Sequence, residues 1–509
     1  MKKFALSFLI LSLVSIWFVG CSNFDKSQAV LSSESVAIFP DYTDITVPPN
    51  MAPLNFFVDM DGKRFVVDFI GENGYTFSIS TKQDVMIPIE KWQTLLSENI
   101  GKSYQVQIYR KLGGTWEKLP VITNQISKDS VDPWLTYRLV PPEYDIWHDL
   151  HIQQRHLESF EVSDLTNNLF NRESCLNCHT PNQGNPDEFL VHFRAGFSGT
   201  IIYKDGELRR YNTRTVELEH HGVYPSWHPS GRFIAFAIVK PALYFHSDVS
   251  LRSDVFDDGD NANLGLLDLE TNRMLTSPKL NTPGKIQETY PCWSPDGKWL
   301  YFCRSHEPET WDTLFVADSY LKLQFDLLRI PFDENTIAFG DIETLIDAQK
   351  IGKSVSVPKI SPDGRWLLFV LTHQGSNPTW RSDADLYLMD LQTLEWKPLT
   401  EANSNKADTY VSWSQNSKWF VFSSKRNDGF VALSHFSHID ENGQASKPFV
   451  LPQKDPKFYK SWLKSFNVPE LATGKVKPSL AEIEEAVQGP IIDVEFGWTN
   501  DANFPKNRK

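Results

Sequence analysis

Five consecutive residues carry the sharpest chemical signal in the chain: Cys175-Leu176-Asn177-Cys178-His179. On one helical turn, thiols at this spacing reach the two vinyl groups of a haem. The adjacent imidazole then lies beneath the iron as its proximal ligand. A sixth ligand would be His or Met. His192 in HFRAGFSGT is the first candidate, and Arg194 beside it could hold a haem propionate through paired N–H donors. His148, His151, His156, His220 and His221 are alternatives, an open sixth position is another, and Met86 and Met274 are distant in sequence. The same atoms serve rival chemistries. A zinc site would use both thiols and His179, with a fourth ligand such as His192. A thiol–disulfide pair would want a preceding strand and a following helix, which Asn182–Pro186 opposes. A structural disulfide is the plainest use in an oxidising compartment.

Cys175–His179 resembles the attachment site of c-type cytochromes, which implies a covalent haem c. The resemblance covers five residues, and the small helical fold of that family is not visible around them. Other motifs fall away. The chain has no Gly-x-Ser-x-Gly, and HEPET (306–310) lacks the second His of a zinc-protease helix. DDGDNAN (257–263) lacks the terminal Glu of an EF-hand loop, and no Gly-rich phosphate loop follows a strand.

The elements that must position these residues fall into distinct regions. Residues 1–20 read as a signal peptide: Lys2 and Lys3, an apolar run from Phe4 to Val19, and small residues before Cys21. Gly20-Cys21 resembles a bacterial lipoprotein box, with Phe18 in place of the usual Leu. That implies cleavage before Cys21 and a lipid on its sulfur. Residues 21–37 read as a tether. From 38 to 140, short alternating strands such as KRFVVDFIG (63–71) and YQVQIYRK (104–111) indicate a β-sandwich-like domain. One helix is expected in IEKWQTLLSENIG (89–101), with Gly101 as its stop. Residues 141–198 show poor periodicity and form the haem-motif segment, since a loop of that length tends to be functional.

From 199 to 505 a repeat takes over. YPSWHPSGRFIAF (224–236), YPCWSPDGKWLYF (290–302), VPKISPDGRWLLF (357–369) and YVSWSQNSKWFVF (410–422) align without gaps. Each is a strand end, a turn and an amphipathic strand. Pro presets φ, Asp or Asn caps the turn, and Gly takes the left-handed position. In the last copy Asn416 is expected to supply the tight turn. The repeats are similar to the TolB-like, WD-type β-propeller family. The fold expected is therefore all-β: an N-terminal β-sandwich-like domain followed by a TolB-like propeller of about six blades. Joining 199–212 to the strand-like 490–500 would close the ring and remove sheet edges. Helices are expected at KFYKSWLKSF (457–466) and SLAEIEEAV (479–487), the latter with a Ser479/Glu482 capping box.

Composition sets the outer limits. With 41% hydrophobic and 22% charged residues the 509-residue chain is globular. A net charge of −14 argues against nucleic acid, whose binding needs a basic face. The five cysteines divide as Cys21 for lipid, Cys175 and Cys178 for haem, and Cys292 and Cys303 as unbonded thiols on one hairpin. The lipoprotein signal, the sandwich, the Asn-Cys-His segment and the repeats together look like a family of exported Bacteroidetes-type proteins. That resemblance implies a cell-envelope location, periplasmic or at the cell surface, without an established reaction. Two functions follow as expectations. The first is a lipid-anchored haem c propeller for electron transfer or redox sensing, its acidic surface favouring a basic redox partner. The second is a non-catalytic propeller scaffold that binds a protein or glycan, with Cys175–His179 structural or metal-binding. An enzyme acting on glycans or peptides is a third, and no residue set in the sequence assigns catalysis.

Overall fold

The computed structural model describes residues 24–141, 149–170, 174–245, 253–281, 286–305 and 322–501. The signal peptide, Cys21, His148 and the 306–310 segment lie outside these residues. No described helix is long and apolar enough to cross a membrane.

The N-terminal part contains a seven-stranded sheet and a smaller three-stranded one. Helix Ile89–Glu98 buries Trp92, Leu95 and Leu96 between them, as its spacing predicts, and Gly101 at φ 74° turns the chain away. The rest is a β-propeller: six sheets follow one another, each running outward from one inner strand. In cyclic order the inner strands are Ser465–Ala472, Cys175–Asn182, Gly222–Trp227, Glu288–Trp293, Ser354–Ile360 and Asp408–Trp413. Each touches its neighbours, so the ring closes.

Closure differs from the sequence expectation. Ser465–Ala472 pairs antiparallel with Trp134–Val140, so a late strand completes the earliest sheet of the ring. The helix expected over 457–466 is confined to Phe458–Ser461, and the remainder turns into this strand. Ile491–Asp493 does pair with Arg210–Asn212, but parallel and as an outer fifth strand. The ring therefore starts at Trp134. His151–His156 with Val162–Asn167, and Cys175–Asn182 with Asn185–Arg194, form hairpins of its first two sheets and not a long loop.

The turns behave as the repeat implies. In Ser294–Gly297 the Gly297 N–H donates to the Ser294 carbonyl at 2.9 Å, with Gly297 at φ 72°. Its absent Cβ leaves room for the His228 ring, which would otherwise stand 2.4 Å away. In the fourth copy the left-handed residue is Ser417, at φ 58°, not Asn416. Asn416 instead accepts the Lys418 N–H at 3.0 Å, the role Asp296 plays for Lys298. The helix at Leu480–Gln488 has the predicted capping box.

One hydrophobic cluster runs through both parts. It joins Tyr42, Val58, Phe69 and Trp92 to Trp419, Leu433, Phe436 and Phe449 of the ring. Trp419 Nε1 donates to the Asp129 carbonyl at 2.7 Å across this junction. Burial of this size makes the N-terminal part a fixed buttress of the ring.

Candidate functional site

The Cys175–His179 motif lies on the inner strand of the second sheet, not on a helical turn. Cys175 pairs with Arg194, Leu176 with Phe193 and His179 with Val191, so Asn177 and Cys178 form a bulge. Cys175, 5% exposed, sits in a cluster with Leu150, Phe193 and Val476. Cys178 packs instead on the cluster of Val223 and Phe302. Both are free thiols. The Tyr224 N–H donates to Cys178 Sγ at 3.3 Å, and Arg194 Nη2 lies 3.6 Å from Cys175 Sγ. His179 is 2% exposed, and neither ring nitrogen makes a well-formed hydrogen bond, the Thr136 backbone being the nearest acceptor. Burial, reinforced by the Arg138 charge, holds its pKa down to about 3 against the nearby Thr136 backbone. It is a neutral imidazole.

His192 is wholly buried on the neighbouring strand. Its Nδ1 lies 2.9 Å from Thr200 Oγ1, and its ring faces His221 at 6.0 Å. Burial, then His221 and Arg194, keep it well below the ordinary histidine range. His151 is engaged by Asp149 and Asp164, and His156 by Ser159. No group of three or more His, Cys, Asp or Glu able to hold a metal ion occurs among the described residues.

The His179 nitrogens suit an axial ligand, but the thiols do not suit a porphyrin. Two thioether bonds need both sulfurs at one edge of the macrocycle. The bulged strand sends Cys175 and Cys178 into different hydrophobic clusters. As folded, Cys175, Cys178, His179, His192 and Arg194 do not fit a haem. Cys292 and Cys303 are also free and buried, with Cys292 opposite Tyr301.

The motif has another role, because its strand lines the central channel. Four inner strands carry a bulge beginning at a left-handed residue: Tyr224, Tyr290, Val357 and Tyr410 (φ 45–52°). A fifth, the closing strand, has Val468 at φ 48°. Two residues later each strand presents a side chain to the channel mouth: Ser226, Cys292, Lys359, Ser412 and Glu470. Thr180, two after Cys178, completes the ring. The mouth is a small cavity of about 110 Å³, open to solvent. The next residue walls it: Trp227 Nε1 donates to the Thr180 carbonyl at 3.2 Å and Trp413 Nε1 to the Lys359 carbonyl at 3.1 Å.

Across this mouth Lys359 Nζ meets Glu470 Oε1 at 3.0 Å. Burial alone would lower the ammonium pKa. The Glu470 carboxylate, with Cys292, overcomes it and holds Lys359 above its ordinary value. Burial pushes the Cys292 thiol up, opposed by Lys359 and the Ile360 N–H. Deeper in the channel Tyr224 and Tyr290 lie 4.5 Å apart, and the Tyr410 hydroxyl accepts from Asn377 and Thr379 at 3.4 Å. Arg138 reaches in from the first sheet and donates through Nη1 to the Leu176 carbonyl (3.0 Å) and Asn177 Oδ1 (2.8 Å).

Sequence reasoning missed Arg138, Lys359 and Glu470. Two of them occupy the third place of the strand ends that align as Tyr-Pro-Ser-Trp (224–227), Tyr-Pro-Cys-Trp (290–293), Val-Pro-Lys-Ile (357–360) and Tyr-Val-Ser-Trp (410–413), a place that holds Ser, Cys, Lys and Ser. Val468-Pro469-Glu470-Leu471 is a fifth such copy, and Cys178-His179-Thr180-Pro181 occupies the sixth place. Arg138 has no counterpart in the repeat and gives no sequence signal.

No protein-family model and no curated protein matches the chain. Solved structures with a similar course include the periplasmic gluconolactonase of Pseudomonas aeruginosa. It is 14% identical, with 63% of this chain and 97% of that one covered and a TM-score of 0.34. An oligogalacturonate lyase in complex with manganese is 14% identical over 61% and 83%, at 0.30. A DUF4784 family protein from Bacteroides caccae is 9% identical over 82% and 97%, at 0.28. At these scores no activity transfers, and the propeller rests on the strand order itself.

Proposed function

We propose that this chain is a lipid-anchored, TolB-like propeller of the bacterial cell envelope that binds a partner without transforming it. The ligand, a protein segment or a glycan end, enters the channel mouth. The carrying observation is the ring of Thr180, Ser226, Cys292, Lys359, Ser412 and Glu470: three hydroxyls, a thiol, an ammonium and a carboxylate, set at matching places of a repeated frame around an open cavity. A rigid scaffold with variable residues at one rim is how a propeller acquires specificity without changing its core. Cys175–His179 is then part of the wall. The lipid on Cys21 and the envelope location rest on the leader alone.

The test has two arms. Expressed with c-type maturation machinery, the protein is expected to show no Soret or α band and no covalent haem stain. Either signal, abolished by replacing Cys175 and Cys178 with Ala, would restore the haem c reading and overturn this one. In a thermal-shift screen of soluble peptides and envelope oligosaccharides, a hit should disappear in Lys359→Met. Hits indifferent to every rim substitution would place binding elsewhere.

A further inference from the structure

Residues 21–37 are expected as a tether, yet from Phe24 on the chain is fastened to the seven-stranded sheet. The Phe24 ring stacks on Trp116 at 4.0 Å and meets Tyr109 edge-on at 5.5 Å. Lys26 Nζ holds Asp68 at 2.7 Å, Val30–Leu31 pairs parallel with Glu117–Lys118, and Glu34 meets Arg110 at 2.7 Å. Only Ser22 and Asn23 separate Phe24 from Cys21. That stretch spans at most about 11 Å, where a free tether to residue 37 would span roughly 55 Å. A lipid on Cys21 therefore keeps Phe24 within the shorter distance of the bilayer surface.

The sheet face under Phe24 suits that place. Side chains alternate across a strand. In Arg64–Gly71 and Ser103–Leu112, Phe65, Val67, Phe69, Val106 and Ile108 turn into the core. Their neighbours Arg64, Tyr109 and Lys111 turn outward, and the register puts Trp116, Lys118 and Leu31 on the same side. Leu31 is 79% exposed. Among the described residues Asp68 is the one carboxylate at the strand positions of this face, and Lys26 already neutralises it. Asp25, next to Phe24, accepts from the Ser27 N–H of its own turn at 3.0 Å. Arg64, Lys111 and Lys118 are left as the charges of the face. In a chain of net charge −14 this is a local reversal of sign. An anionic bilayer takes exposed Leu and Trp into its headgroup layer and attracts Lys and Arg.

We infer that this outer face, with Phe24, Leu31, Trp116, Arg64, Lys111 and Lys118, docks flat on the anionic bilayer that holds the Cys21 lipid. The inference rests on the lipid-anchor reading above and adds that the body lies on the membrane in a fixed orientation. The N-terminal sheet is then the base on which the ring stands.

The lipidated full chain, in phosphatidylethanolamine vesicles containing phosphatidylglycerol, tests it. A fluorophore on Leu31→Cys should be quenched by a headgroup nitroxide lipid several-fold more than one on Val216→Cys, an exposed site before the third sheet. Cys175, Cys178, Cys292 and Cys303 are buried or half-buried, and the unsubstituted protein gives their background labelling. Lys111→Glu combined with Lys118→Glu, or phosphatidylcholine in place of phosphatidylglycerol, should each at least halve the quenching at residue 31. The lipid exchange alters no residue and decides the matter if the double variant fails to fold. Equal quenching at both sites, or quenching at residue 31 indifferent to vesicle charge, overturns the docking and leaves the anchor standing. Mass spectrometry of the N-terminal peptide separates the two readings: a Cys21 without an acyl-glyceryl group sinks the anchor and the inference with it.

Discussion

Replacing His179 by Leu separates a wall residue from a ligand. The imidazole is 2% exposed, and neither ring nitrogen makes a well-formed hydrogen bond. A buried polar atom left without a partner costs about 1–3 kcal/mol, and an apolar side chain of similar size removes that cost without overpacking. His179→Leu should therefore lie between unchanged and roughly 2 kcal/mol more stable at neutral pH. Acid adds a second signature. The native pKa is held at about 3, whereas the unfolded chain titrates near its ordinary value of about 6.5. Between these values the unfolded state binds the extra proton, so the native protein loses stability as pH falls through that window. The full effect is at most about 5 kcal/mol, accruing at roughly 1.4 kcal/mol per pH unit. Urea unfolding followed by tryptophan fluorescence, from neutral to about pH 4, would show the variant pulling ahead of the parent as the medium is acidified. A variant less stable than the parent at neutral pH, or a gap that stays flat in acid, would refute the reasoning. Either would mean that His179 holds a partner in the native state.

Lys359→Met should destabilise by about 1–3 kcal/mol at neutral pH. That is less than a sealed ion pair, because the lysine side chain is 35% exposed in the channel mouth. Since the folded pKa of Lys359 is raised, the pair's contribution is complete below about pH 10.4. It fades as pH climbs through the folded value, so denaturation midpoints of parent and variant should converge in strong alkali. Trp419→Ala, which empties the junction between the N-terminal part and the ring, should cost about 3–5 kcal/mol. Circular dichroism and fluorescence should still report one shared transition, and two separated transitions would count against a common core. Ending the chain after Lys464 removes the closing strand and bares the edge of Trp134–Val140. Size-exclusion chromatography should then find aggregates and not a monomer.

Local chemistry was legible wherever it repeats. The turns after Trp293 and Ile360, the helix at 89–98 and the capping box at Ser479 follow from residues within a few positions of one another, and the structure builds them as expected. The closing strand was not legible. KSWLKSF has helical spacing, but the helix stops at Ser461 and Ser465 opens a strand, because the exposed edge of Trp134–Val140 offers a whole ladder of backbone bonds that a short isolated helix cannot match. The same override moved the start of the ring back to Trp134 and made hairpins of 151–167 and 175–194.

The cysteine motif shows the limit most clearly. Its residue types and spacing are facts of the sequence, and so are the repeated frame, the acidic charge and the leader. Whether two thiols three residues apart face one another depends on the backbone between them. A helical turn would have put them on one side, and the bulge in the inner strand puts them in separate clusters. Sequence alone determined that this is a repeated β protein with a variable residue in each copy. The tertiary structure decided that those residues meet around one cavity, and that Arg138, far from any motif, lies beside Cys178 and His179. Ring closure pairs Trp134–Val140 with Ser465–Ala472, about two thirds of the chain apart, and no local pattern records that neighbourhood.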